Sequence, residues 1–128
     1  MSYNISRQVA GEFDAVIARV KEALKAEGFG VLTEIDVEGT LKSKIGKDFR
    51  PYRILGACNP NLAYQALSEE AHIGVMLPCN DIVQRHEDGE IEVSSIDPAT
   101  AMQTVGNPKL TAVAGQVRDA LSRVIERV

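Results

Sequence analysis

Apolar residues recur at Phe13, Val16, Ile17, Val20, Ala23 and Leu24, three and four apart, the spacing of a helix that buries one face. Gly28 follows and predicts the stop, because glycine accepts positive φ without a Cβ clash. Before this helix, "SYNISRQVA" sets Tyr3, Ile5 and Arg7 against Asn4, Ser6 and Gln8. That alternation predicts a short, edge-like strand. "FGVLTEIDV" is rich in β-branched residues and predicts a second strand. "EGTLKSKIGKDFRPY" is polar, with two glycines and a proline, and reads as a short helix or turn followed by a mobile loop. "RILGAC" predicts a third strand. Asn59-Pro60 then starts a helix, since asparagine caps and proline suits the first turn. Leu62, Ala63, Ala66 and Leu67 form its apolar stripe.

The run "IGVMLPCNDIVQRHEDGEIEVSSID" predicts two further strands, with Asp88-Gly89 as the hairpin turn between them. Pro78 interrupts the first, so a bulge or an edge position is expected there. "PATAMQTVG" reads as a short helical segment or a turn. A last helix from about Pro108 to Val128 places Leu110, Val113 or Ala114, Val117, Leu121 and Val124 on one side. Five strands, a long helix near each end and shorter helices between them describe an α+β domain. The expected sheet is largely antiparallel, with the helices from Phe13 and Pro108 on its same face.

At 128 residues the chain makes one domain. Its net charge is −4, with fourteen Lys and Arg scattered among eighteen acids. No basic patch marks a nucleic-acid surface. "MSYNISRQVAGEF" has no apolar leader-like core, and no stretch reaches the roughly 18 apolar residues of a membrane span. A cytoplasmic, reducing location is therefore the expectation, with neither membrane nor nucleic acid as partner and with thiols kept free.

The candidate chemistry lies in the two cysteines, each followed by asparagine: Cys58-Asn59 and Cys79-Asn80. Cys58 directly precedes the expected helix start, where the helix dipole favours a thiolate. Cys79 follows Pro78, which can re-aim a side chain by breaking the ladder. Free cysteine is equally a common core residue. Two readings stay open for the pair: a site, or packing. Asn59 fits a structural cap, and Asn80 fits either a turn or a ligand contact. The cysteines are twenty-one positions apart with no CxxC, and His72 and His86 fall near loop ends, so no metal site and no cofactor is expected. Lys47 and Arg50 in "GKDFRPY", with Arg53 just after it, could touch an anion but read better as a solvated loop. Asp36, Glu38 and Asp81 are acid–base candidates, Asp81 at a strand position read as facing solvent.

"ILGACNPNLAYQAL" followed by "IGVMLPCNDIVQ" resembles the paired signature of a bacterial and archaeal family, domain of unknown function 302. The resemblance runs from "YNISRQV" to the final helix. It implies a β-α-β(4)-α fold with a curved antiparallel sheet, similar in layout to one half of the TATA-binding protein. It also implies a homodimer, and it carries no established activity. The expected function is a homodimeric ligand-binding or structural module, with its site at Cys58, Asn59, Cys79 and Asn80. The alternative is a thiol-dependent redox or sulfur-relay protein with Cys58 as nucleophile and Cys79 as its partner. Whether any catalysis occurs is left open by the residues.

Overall fold

The computed structural model describes residues 2–128. Strand β1 (Asn4–Val9) leads into helix α1 (Phe13–Ala26), and β2 (Gly30–Asp36) into α2 (Val37–Ile45). Strand β3 (Tyr52–Cys58) is followed by α3 (Pro60–Glu69) and a 3-10 segment at Ala71–Met76. The hairpin β4 (Cys79–Arg85) and β5 (Ile91–Ile96) precedes α4 (Pro98–Val105), a 3-10 turn at Pro108–Leu110 and α5 (Thr111–Arg127). The strands form one sheet in the order β1-β5-β4-β3-β2, with every neighbouring pair antiparallel. This is the expected α+β class, with β1 on an edge as its sequence predicts.

Register divides the sheet into two faces. Cross-strand partners share a side and residues two apart share a side. One face therefore carries Leu55 and Ala57 from β3, Cys79, Asp81 and Val83 from β4, and Val93 and Ser95 from β5. Here the stripe of α1 (Val16, Ile17, Val20, Leu24) and that of α5 (Val117, Leu121, Val124, Ile125) join Leu55, Val83, Val93 and Ile91 in the main core. Both long helices thus lie on one face, as expected. Arg7 donates from the same face to the carbonyls of Ile125 and Glu126, at 3.2 and 2.7 Å, where a cation suits the C-terminal end of α5. Arg123 and Arg127 hold Glu27, tying the end of α1 to α5.

The opposite face carries a straight cross-strand row, Ile35, Ile54, Ile82, Ser94 and Ser6. The Ser6 and Ser94 hydroxyls meet at 2.7 Å. None of its three isoleucines is buried.

Two expectations change. Ile73 to Leu77 do not extend a strand; residues 71–76 form the 3-10 segment and β4 begins only at Cys79. Proline cannot donate to a ladder, so the strand starts after Pro78 rather than bulging at it. The strand is also central, not an edge. In the polar stretch after β2, Asp36 caps a full helix, accepting from the Gly39 N–H at 3.0 Å.

Candidate functional site

The two sequence motifs are adjacent strands in register. Gly56 pairs with Asn80 and Ala57 with Cys79. Most motif residues then acquire a physical role. Leu55 and Ala57 are fully buried in the core. Gly56 leaves room where the Pro78 ring crosses it: a Cβ there would come within 2.8 Å of Pro78 Cγ, and closer still to Thr33 Oγ1. Asn59 caps α3, its Oδ1 accepting from the Leu62 N–H at 3.2 Å. The Asn59 Nδ2 lies 3.1 Å from where a Cβ on Gly28 would stand, and Gly28 holds φ +84°. The stop of α1 and the start of α3 are thus fitted to one another.

Cys58, Asn59 and Cys79 line one cavity of about 50 Å³. Its wall is otherwise almost wholly apolar: Ala57 from the sheet, Leu62 and Ala66 from α3, Met102 from α4 and Val113 and Val117 from α5. Cys58 has the pleat parity of Gly56, the opposite of Cys79. It is the last residue of β3, where the chain turns into α3, so parity no longer fixes its side chain. Asp97 secures the cavity's α4 side, capping that helix through the N–H groups of Ala99 and Thr100 and pairing with Arg118 of α5 at 3.2 Å. Both cysteines are free and half-buried. Burial, then the neighbouring Asp81 and Cys58, push the Cys79 thiol up to about 11.

Asp81 corrects the expectation of a solvent-facing acid. Its alternation with Cys79 and Val83 puts it on the core face, between Leu55 and Ser95, at 0% exposure. Neither carboxyl oxygen has a hydrogen-bond partner, and neither does the Ser95 hydroxyl. Burial raises the Asp81 carboxyl to about 7, with the nearby Ser95 hydroxyl offsetting part of the effect although the two do not form a well-aligned bond. The signal was present in the sequence: in "CNDIVQR" the position two before a core valine shares its face.

The other candidates are dispersed. Asn80 is exposed on the opposite face, in a shallow groove with Asn4, Ser6, Tyr52 and Gln84, and does not line the cavity. His72 lies exposed near Glu70, and His86 pairs with Glu92 at 3.2 Å beside the hairpin turn. Arg50 stacks over Phe49 and Tyr52 and donates to Gln84. Arg53 and Lys21 clasp Glu34, which holds that carboxyl below its ordinary value. Among the described residues, no three His, Cys, Asp or Glu side chains gather as a metal-binding group, and no helix is long and apolar enough to cross a membrane. Gly56 and Met102 are the residues at this site that motif reading passed over.

No curated protein matches the chain. Among solved structures it is similar to the crystal structure of an uncharacterised conserved DUF302 protein from Bacillus stearothermophilus. The two are 30% identical over 99% of this chain and 98% of that one, with a TM-score of 0.93. A family described as a domain of unknown function, DUF302, matches residues 5–128, and with its paired motifs forming adjacent strands over one cavity, the chain belongs to that family.

Proposed function

We propose that the protein is a small-ligand-binding module whose site is the cavity shared by Cys58 and Cys79. One observation carries this reading: two thiols from neighbouring strands open onto a single apolar space closed by α3, α4 and α5. Volume limits the ligand. Sites for cofactors and other drug-sized molecules run to several hundred Å³, about 300–1,000, against about 50 Å³ here. The ligand is therefore a few atoms across. The thiol-relay alternative, with Cys58 as nucleophile, is disfavoured on its partner's side: the Cys79 thiol is raised to about 11 and stays protonated near neutral pH, so it does not serve as the second thiolate of a relay.

Xenon is a suitable probe, since dry apolar cavities take it up. Under xenon pressure, methyl NMR shifts are expected at Leu62, Ala66, Ile73, Val113 and Val117, with little change elsewhere. Ala66→Leu, which adds bulk at the buried α3 wall, should abolish those shifts while the protein stays folded. Xenon shifts spread evenly over the core, or none at all in the wild type, would count against a ligand cavity.

We also propose a two-fold dimer through the face that carries Ile35, Ile54 and Ile82. Apolar side chains in one row on an uncovered sheet suit an isologous contact, in which each copy presents the same patch. Light scattering should return about twice the 13.9 kDa chain mass. Ile54→Lys places like charges at the centre of that contact and should return the single-chain mass. A wild-type monomer that persists at high concentration rules the dimer out.

A further inference from the structure

Building on the ligand-site reading, we infer that the ligand is a soft monovalent cation, the cuprous ion, held by the sulfurs of Cys58, Cys79 and Met102. These three side chains come from β3, β4 and α4 and line the same small cavity. Apart from the Asn59 amide, whose oxygen caps α3, they supply the cavity's only side-chain heteroatoms among the described residues.

Donor type and volume together select the ion. Thiolate and thioether ligands are soft and favour Cu(I), whereas carboxylates and carbonyls favour hard divalent ions. Structural zinc needs four donors in a tetrahedron, and no third His, Cys, Asp or Glu joins the two thiols among the described residues. A drug-sized organic ligand is too large for about 50 Å³, and a smaller apolar one would leave the three sulfurs without a role. On binding, Cu⁺ displaces the protons of both thiols to solvent and two copper–sulfur bonds form, with the Met102 thioether as a third, neutral donor. No electron is transferred. The complex carries one net negative charge, and Cys58 stands directly before the N-terminus of the ten-residue α3, whose peptide dipoles favour an anion.

The test is a competition between the reduced, anaerobic protein and bathocuproine for Cu(I). One Cu(I) per chain should be retained, and Cys58→Ser or Cys79→Ser should lose at least about a hundredfold in affinity, with Met102→Leu losing roughly tenfold. Zn²⁺ should not be retained. If a serine variant does not fold, the wild type still decides: saturating Cu(I) should protect both thiols from iodoacetamide. Failure to hold Cu(I) against the competitor, unchanged affinity in the folded serine variants, or unprotected thiols overturns the inference. Xenon shifts without Cu(I) retention leave the cavity reading intact and discard copper; loss of both discards both.

Discussion

Raising the pH from 4 to 8 should destabilise the metal-free protein by on the order of 4 kcal/mol through Asp81 alone. The carboxyl ionises near 3.8 when free and near 7 in the folded chain. The unfolded state therefore loses its proton first. Below about pH 4 both states are protonated and stability is at its full value. Between about 4 and 7 the native state holds a proton that the unfolded state has released, so stability falls as pH rises. Above about 7 both are ionised and the curve flattens. Glu34 acts in the opposite sense: its folded value is lowered, so its contribution is present at neutral pH and is lost only in acid. Urea unfolding of wild type and Asp81→Asn at pH 4, 5, 6, 7 and 8 isolates the term. The asparagine variant should be nearly flat and should overtake wild type at the alkaline end, because its amide is never charged. A wild-type slope shared unchanged by Asp81→Asn would sink the prediction.

The same residue shows where sequence reading succeeds and where it stops. Element ends were legible because they depend on local chemistry. Asn59 caps α3, Gly28 terminates α1, and the Asp88-Gly89 turn joins β4 to β5. The apolar stripes of α1 and α5 were legible for the same reason. Facing was less legible. An aspartate in a strand is usually solvated, and its alternation with Val83 was a weak signal until the register with Leu55 and Ser95 placed Asp81 inside. Alternation also separates the candidate pair Cys79 and Asn80, since adjacent strand residues point to opposite faces. Cys58 and Cys79 were legible as a pair through their repeated motif, but Met102 was not. It lies forty-four positions beyond Cys58, on a helix brought to the cavity by tertiary contacts that include the Asp97–Arg118 pair and packing against Ile73 and Leu110. The run before Pro78 was ambiguous, as short apolar segments are, and the proline decided where the strand could begin.

Gly56→Ala is expected to cost about 1–3 kcal/mol, the range for overfilling a packed site. The backbone at Gly56 needs no positive φ, so the cost is steric. An added methyl meets two neighbours of different stiffness. The Thr33 hydroxyl can rotate away, but the Pro78 ring is fixed to the backbone that introduces Cys79. Thr33→Ala should therefore recover only part of the loss in the double variant, leaving the share that belongs to Pro78. Urea unfolding checks this as a lowered midpoint at unchanged slope. A neutral Gly56→Ala would show that the two strands can separate freely at this point. Because Cys79 directly follows Pro78, displacement of the ring also moves a wall of the cavity. The folded Gly56→Ala protein should accordingly show altered xenon shifts at Val113 and Val117, residues on α5 far along the chain from the substitution. That coupling gives the glycine of the first motif and the proline of the second a common role: they set the spacing of the strands that present the two thiols.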